Sequence, residues 1–321
     1  MKCEMRNETF LIPHYTFQIV LSILTSMLRY ILALCYRAVY LLHHALRLRP
    51  GAPLQYSQLI VVGSFRTGGA GKTPFCIWLC KHYAAQGKKV ALLTHEYAFD
   101  ETTMLRQKFS DNGNVEIFAT NNRYRLAHEL DRSQKFDYIV CDDGFEDSRL
   151  TGAVTLLLNW ENAPTKISEL WPCGKMRSLA KDHKANSTTT ISLKCFGENP
   201  EIQFVVDKLS HLATGEDFQE NLPRTSNASI ICGLGDPERF RKDIQEYGIH
   251  IKRTFFFKDH CKAFPAELEQ TIEEHPQDIF IISEKDAARL PAEFIQKKLT
   301  AQIYVAHQTT KVSAETLQKL P

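Results

Sequence analysis

A glycine-rich loop between an apolar run and a helical pattern constrains the fold of this chain more than any other feature. Residues 59–73 read L-I-V-V-G-S-F-R-T-G-G-A-G-K-T, and a helical pattern covers residues 74–86. A strand, a glycine-rich turn and a helix in this order indicate a phosphate-binding loop, whose backbone N–H groups surround a polyphosphate. The residues assigned to phosphate binding are Arg66, Thr67, Gly68, Gly69, Ala70, Gly71, Lys72 and Thr73.

Within this loop, Lys72 would place a positive charge at the phosphates, and the Thr73 hydroxyl would bind Mg²⁺. One position departs from the usual pattern G-x-x-x-x-G-K-[ST], because Arg66 stands where the first glycine is expected. The alternative is an ordinary glycine turn between a strand and a helix. The agreement of strand, glycines, Lys-Thr pair and helix favours the phosphate loop.

Composition sets broader bounds. The 321 residues leave room for two domains, and 44% hydrophobic with 24% charged residues is typical of a globular protein with a substantial core. The formal net charge of +2 neither indicates nor excludes a nucleic-acid partner, and none is predicted. Nine cysteines without a C-x-x-C pair predict buried thiols in a reducing compartment rather than disulfides or a zinc site.

Beyond the loop, apolar runs typical of buried strands alternate with helical patterns, which predicts a parallel sheet with helices on both faces. The predicted strands are residues 89–94, 115–119, 136–141, 154–159 and 188–193, and residues 122–132 form a predicted helix. A polar stretch at 197–227 is a candidate linker. A second alternation follows, with strands at 229–232, 251–257, 278–283 and 302–306 and helices at 237–247 and 266–275.

The amino-terminal stretch raises the question of a membrane. Residues 9–28 carry no charged side chain, but eight of the twenty are polar or proline, which is a poor composition for a lipid-spanning helix. A polar stripe and a basic flank at residues 43–49 instead predict an amphipathic helix that lies on an anionic membrane surface. The alternative is a helix packed on its own domain.

The predicted fold class is therefore α/β, with three parts. Residues 1–50 form an N-terminal membrane-associated helix region, residues 51–225 a P-loop NTPase-type parallel sheet core, and residues 226–321 a smaller C-terminal α/β domain. In parallel sheets of this kind, ligands bind at the carboxyl ends of the strands.

Carboxylates follow two of the predicted strands at that edge. Asp142 ends an apolar run and fits the residue that holds Mg²⁺ beside a phosphate loop, with Asp143 next to it. The alternative is a surface Asp-Asp-Gly turn. Asp100 and Glu101 close a short predicted loop at residues 95–101 and are ambiguous by themselves, since most acidic pairs in loops are solvated.

Taken together, these segments resemble the tetraacyldisaccharide 4′-kinases, which phosphorylate the lipid A precursor of Gram-negative bacteria. Residues 62–74 are similar to that family's V-G-N-x-T-x-G-G-x-G-K-T-P, and residues 142–145 to the start of its D-D-G-F-Q-H. Residues 172–177 are similar to P-x-G-x-[LM]-R. In the second half the motifs G-I-G-x-P-x-R-F, D-H and T-E-K-D-A resemble residues 233–240, 259–260 and 283–287.

The resemblance implies roles that no local pattern shows. Asp100 would be the base for the sugar hydroxyl and His260 its partner, with Lys72 and Asp143 as further catalytic residues. Glu101 would join Thr73 and Asp142 as a metal ligand. The residues implied to bind the acceptor are Tyr97, Arg123, Glu146 and Arg177.

The implied activity is transfer of the γ-phosphoryl of ATP, with Mg²⁺, to the 4′-hydroxyl of an acylated glucosamine disaccharide 1-phosphate. The enzyme would be a monomer in peripheral contact with the cytoplasmic face of the bacterial inner membrane. Two alternatives stay open. Glu146 and Asp147 replace the family's Gln-His pair, which favours a kinase of the same fold with another acceptor. A membrane-associated ATPase switch is the third hypothesis, disfavoured because Thr67 replaces the lysine such loops carry.

Overall fold

The computed structural model describes residues 12–46, 51–97, 99–160, 162–182, 189–218, 227–259, 261–298 and 301–321. Within these ranges the chain divides into two compact units. The first comprises residues Met1–Leu48, Phe65–Thr67 and Asn162–Lys184, and the second Arg49–Ser64, Gly68–Glu161 and Ala185–Pro321.

In the second unit, the first sheet of the described residues has the strand order β3-β2-β4-β1-β5-β6. Its strands are β1 Gln58–Gly63, β2 Val90–Thr94, β3 Val115–Ala119, β4 Tyr138–Asp142, β5 Val154–Asn159 and β6 Thr189–Lys194. Every neighbouring pair in it is parallel. The predicted parallel sheet is therefore confirmed, and the loops that follow β2, β4 and β1 emerge side by side at one edge.

Among the described residues, three helices cover this sheet: α2 Lys72–Ala85, α3 Phe99–Lys108 and α4 Arg123–Ser133. Side chains alternate along β1, as they must on a pleated strand. Ile60 and Val62 join one buried cluster with residues of α2, while Leu59 and Val61 join another with Ala127 of α4. The two apolar faces explain why these strands read as continuous hydrophobic runs rather than as alternating ones.

The second sheet of the same unit has the order β7-β11-β10-β8-β9 within the described residues. Its strands are β7 Ile202–His211, β8 Asn227–Cys232, β9 His250–Phe256, β10 Phe280–Ser283 and β11 Ile303–Val312. The pairing of β7 with β11 is antiparallel and the other pairs are parallel. The helices here are α5 Pro237–Glu246, α6 Phe264–Glu274, α7 Glu284–Ala287, α8 Ala292–Lys297 and α9 Ala314–Leu317.

Two predictions of local structure are wrong. Asp100 and Glu101 lie in the first turn of α3 and not in a loop, in a segment whose polar character hid the helix. The predicted linker at residues 197–227 contains β7, a ten-residue strand. Ile202, Phe204 and Val206 alternate with polar or less buried residues in β7, and this period of two was the signal for a strand.

The first unit is built around α1, which runs from Ile12 to Leu46. Ala33 is fully buried, and Arg37 forms a bidentate ion pair of 2.7 Å with Asp182. The described apolar side chains nearer the amino terminus are exposed, among them Leu24 and Leu28. The stretch Leu21–Leu46 is long and apolar enough to cross a membrane, as judged by length and composition.

Candidate active site

The loop at residues 68–73 turns through two glycines with positive φ. Gly69 has a φ of 65° and Gly71 a φ of 76°, which glycine adopts without the steric cost that a Cβ would add. In the described part of the chain no side chain caps the start of α2, whereas Asn122 and Asp236 cap α4 and α5. The first N–H groups of α2 are therefore left for an anion, which the helix dipole also favours.

In the first unit, residues 65–67 pair with residues 175–177 in antiparallel fashion. Two backbone hydrogen bonds of 2.9 and 2.8 Å join the two segments. Arg66 is not among the described non-glycine residues with a positive φ, so its backbone does not require glycine. The Arg177 side chain donates from Nε to the Arg66 carbonyl over 3.2 Å. This pairing explains how an arginine replaces the first glycine of the usual pattern.

Asp142, the last residue of β4, lies beside the strand that leads into the loop. It pairs in register with Val62, and its Oδ2 accepts a hydrogen bond of 2.7 Å from the Thr73 hydroxyl. Its Oδ1 is buried, and no described residue donates a hydrogen bond to it. Burial, followed by the nearby Glu101 carboxylate, raises the pKa of Asp142 to about 6. A buried carboxylate oxygen of this kind fits a cation.

The oxygen atoms of Thr73, Glu101 and Asp142 suit Mg²⁺, a hard cation that takes oxygen ligands. The described ranges contain no group of three or more His, Cys, Asp or Glu side chains that could hold a metal by themselves. Mg²⁺ in nucleotide sites usually takes one or two carboxylates, with phosphates and waters as the remaining ligands. The residues present therefore fit an ion that arrives with a polyphosphate rather than a permanent metal centre.

Lys72 and Asp143 face each other across the same edge. The Lys72 Nζ lies 3.5 Å from the Asp143 Oδ1, and little of the lysine side chain is exposed. Asp143 has a φ of 56°, a left-handed conformation that aspartate tolerates better than most residues. The backbone turn after β4 thus directs one carboxylate to the Thr73 side and the next to Lys72.

Asp100 is buried at the start of α3, where it contacts Arg289, a residue that follows α7. The Arg289 Nε and Nη2 lie 2.9 and 2.7 Å from the Asp100 Oδ2. The Asp100 Oδ1 accepts from the Glu101 N–H over 3.0 Å. Arg289 also contacts Asp286, 3.1 Å away and fully buried. The paired arginine compensates the buried carboxylate for the hydration it has lost.

Glu101 is paired with Lys285, which follows β10. The Lys285 Nζ lies 3.0 Å from Glu101, 2.9 Å from Asp259 and 3.9 Å from Asp100. Burial alone would lower the pKa of Lys285, but these carboxylates outweigh it and the pKa is raised. The lysine is therefore a cation at the point where α3 meets the second sheet.

The residues predicted to bind the acceptor are placed as follows. Arg123 is buried at the start of α4, and no described residue accepts a hydrogen bond from its Nε. Burial would raise the pKa of Asp147, but Arg149 and, more weakly, Arg123 lower it. Tyr97 is exposed and stacks on His95, with ring centroids 4.4 Å apart.

The remaining predicted residues lie in different parts of the chain. Glu146 is half-buried in the turn that follows Asp143, and Arg177 lies in the first unit on the carbonyls of residues 66 and 67. His260 lies outside the described residues.

The structure brings Lys72, Thr73, Glu101, Asp142 and Asp143 to one edge of the first sheet.

Sequence reasoning missed Arg289 and assigned no role to Lys285. Lys285 lay inside the quoted motif at residues 283–287, and that motif was the available signal for it. Arg289 stands just beyond the motif, and nothing in its neighbours indicates a partner as distant as Asp100.

Comparison with known proteins gives one consistent result. The family model of tetraacyldisaccharide-1-P 4′-kinase matches residues 24–320. The chain is 24% identical over 252 residues to the tetraacyldisaccharide 4′-kinase of Haemophilus influenzae, covering 72% of this chain and 73% of that protein. It is 26% identical over 255 residues to that of Pseudomonas aeruginosa, covering 73% of this chain and 74% of that one.

A solved structure supports the same fold. The "apo" form of LpxK from Aquifex aeolicus in complex with ATP superposes with a TM-score of 0.61 at 19% sequence identity. The match covers 90% of this chain and 95% of the other. At this identity, the likeness shows a shared fold.

Proposed function

This chain belongs to the tetraacyldisaccharide 4′-kinase family, and we propose that it transfers the γ-phosphoryl of ATP to the 4′-hydroxyl of a tetraacyldisaccharide 1-phosphate. The observation that carries the proposal is the set of side chains at one sheet edge, where Lys72, Thr73 and Asp142 surround an uncapped helix start. Family membership supplies the lipid kinase activity and the use of ATP. The acceptor and the residue roles are the proposal.

We propose the following division of work for phosphoryl transfer. Lys72 and the loop N–H groups hold the β- and γ-phosphates, and Asp143 orients Lys72. Thr73, Glu101 and Asp142 would hold Mg²⁺, which when bound neutralises phosphate charge. Asp100, held by Arg289, accepts the proton of the attacking hydroxyl. His260 is its proposed partner.

The acceptor-binding residues stay a proposal: Tyr97, Arg123, Glu146 and Arg177. The replacement of the family's Gln-His pair changes the local charge less than the sequence suggests. Arg149 donates to both oxygens of Asp147, over 2.8 and 2.7 Å. One of the two added carboxylates is therefore neutralised inside its own turn, which favours the family's usual acceptor over a different one.

The test of the acceptor uses purified protein, ATP, Mg²⁺ and synthetic tetraacyldisaccharide 1-phosphate. Mass spectrometry should detect a product that carries one additional phosphate at the 4′ position, and the Lys72→Ala variant should form it about 10²-fold more slowly, or slower still, at the same protein concentration. ATP consumption with no change in this acceptor would contradict the proposal and favour either another acceptor or an ATPase switch.

We also propose a peripheral position for a monomer on the cytoplasmic face of the inner membrane, with the membrane contact made by residues 1–50. The predicted boundary between residues 51–225 and 226–321 is not carried into this proposal, because β7 lies before it and pairs with β11 after it. Support comes from the exposed apolar side chains of α1 and from the lipid nature of the family's substrate. Apolar side chains without protein contacts gain free energy when an acyl layer covers them.

Replacing Leu24 and Leu28 together with glutamate should lower binding to anionic vesicles by about tenfold or more, because burying each leucine contributes roughly 1.5–3 kcal/mol. The measurement is co-sedimentation with vesicles at low and high salt. High salt should partly release the wild type, since salt screens the basic flank. Leu317→Glu, at another exposed leucine, is the matched control and should bind as the wild type does.

Two outcomes would count against the peripheral position. Unchanged vesicle binding in the double variant would show that this face of α1 does not meet lipid. Wild-type protein that resists extraction by both high salt and alkaline carbonate would indicate a helix that spans the bilayer.

A further inference from the structure

An arginine on α5, one of the helices of the second sheet, contacts the backbone of the phosphate loop. Arg239, in the first turn of α5, donates from Nη1 to the Gly69 carbonyl over 2.6 Å. Its guanidinium lies over the Trp160 ring, 4.3 Å from the centroid, and 5.1 Å from that of Phe204. Trp160 in turn donates from Nε1 to the Ala70 carbonyl over 2.9 Å. Two consecutive loop carbonyls are therefore held by two stacked side chains.

These contacts determine where the loop N–H groups point. In a trans peptide the carbonyl and the N–H of the next residue point in opposite directions. The hydrogen bond from Arg239 to the Gly69 carbonyl thus points the Ala70 N–H away from Arg239. Likewise, the hydrogen bond from Trp160 to the Ala70 carbonyl points the Gly71 N–H away from Trp160. A loop whose N–H groups are already oriented binds an anion without the entropic cost of ordering them.

The packing around Arg239 favours this single arrangement. A Cβ added to Gly69 would lie 2.6 Å from the Cβ of Asp236, the capping residue of α5. The Arg239 Nε lies 3.9 Å from the Asp243 Oδ2 on the same helix. Glycine is therefore required where α5 meets the loop, and the arginine is held by two neighbouring aromatic rings and by the Asp243 carboxylate.

We propose that Arg239 is a positioning residue for nucleoside triphosphate binding, one that keeps the phosphate loop in its anion-binding conformation. It acts through the loop carbonyl and does not touch the phosphates. The first turn of α5 thereby contributes to the affinity for the nucleotide. This inference rests on ATP binding by the loop and is independent of which acceptor the enzyme uses.

The test compares Arg239→Ala with the wild type in ATP binding by calorimetry and in steady-state kinetics. We expect the Kd and the KM for ATP to rise about tenfold or more, since a charge-assisted hydrogen bond is lost. The kcat at saturating ATP and the KM for the acceptor should change little, as when a binding interaction common to ground and transition states is removed. Arg239→Lys should give an intermediate KM, because lysine keeps the charge but not the planar stack.

Two further variants keep the test decisive. Arg241→Ala removes a half-buried arginine that lies on the same helix and pairs with Glu238, and it should leave the KM for ATP unchanged. Trp160→Phe keeps a ring beneath the guanidinium but removes the N–H that donates to the Ala70 carbonyl. It should raise the KM for ATP by about threefold, the effect expected from the loss of one neutral hydrogen bond.

The proposal would be overturned by a folded Arg239→Ala protein whose ATP affinity stays within about twofold of the wild type. A fall in kcat with both KM values unchanged would also overturn it, because that pattern indicates a smaller fraction of folded enzyme. Calorimetry needs no acceptor. A failure of the acceptor proposal is thus distinguishable from a failure of this one.

Discussion

Replacing Lys72 with alanine is expected to lower kcat by about 10²-fold or more, because the lysine charge stabilises the γ-phosphoryl most as charge develops in the transition state. The side chain is already positioned for this, 3.5 Å from Asp143 and largely buried at the start of α2. The measurement is phosphoryl transfer from ATP to tetraacyldisaccharide 1-phosphate at saturating concentrations of both substrates.

Lys81→Ala serves as the control for Lys72→Ala, since Lys81 lies on the same helix with an exposed side chain. It should retain wild-type kcat. A Lys72→Ala enzyme with more than half of the wild-type rate would contradict the role of the loop in catalysis and leave the glycine turn as the simpler interpretation.

Replacing Asp100 with alanine is expected to lower kcat by about 10²- to 10⁴-fold, the usual contribution of a general base. The KM for ATP should change little, because Asp100 acts on the acceptor hydroxyl. The pairing with Arg289, at 2.7 Å, holds this carboxylate in place, and a carboxylate accepts a proton only in its ionised form. The acid limb of the wild-type pH–rate profile should therefore be lost in the variant.

The relation between Asp100 and His260 is tested by a double-mutant cycle. If the two side chains act as one base, Asp100→Ala, His260→Ala and the double variant should fall to similar kcat values, since residues that act as a unit are strongly non-additive. Multiplicative losses would show that His260 does separate work, and near-wild-type activity in His260→Ala would show that it does none.

Asp111→Ala is the control for the Asp100 variant, because Asp111 lies shortly after α3 and is exposed. It should behave as the wild type does. An Asp100→Ala enzyme that keeps wild-type kcat would remove Asp100 from the mechanism. Its ion pair with Arg289 would then be an anchor between α3 and the second sheet.

Some features of this protein follow from patterns within a few residues. The glycines, Lys72 and Thr73 lie between a buried strand and a helix, and that order is enough to predict a phosphate loop. The continuous apolar runs predicted a sheet buried on both faces, and the sheet is parallel as expected. Asp142 was predictable because the carboxyl end of a neighbouring strand meets the loop at the same edge.

Weak local patterns were harder to interpret. The segment at residues 99–108 has no strong apolar face, so the helix that carries Asp100 and Glu101 was not predicted. Its helical form depends on tertiary contacts, which commonly override propensity. Lys108, at the end of this helix, pairs with Glu284, the first residue of α7, over 2.6 Å. The two residues are too far apart in the sequence for a pattern over one helix length to reveal the contact.

The sequence by itself determined the phosphate loop, the parallel sheet and the family, because these depend on residue types at short and fixed spacings. Only the tertiary structure decided which side chains act together at the site. Arg289 and Asp100 are 189 residues apart, and Arg239 and Gly69 are 170 apart. These pairs form because α3 and the phosphate loop both pack against the second sheet and its helices. The hydrogen bonds of the two arginines are short and strong because this packing buries them.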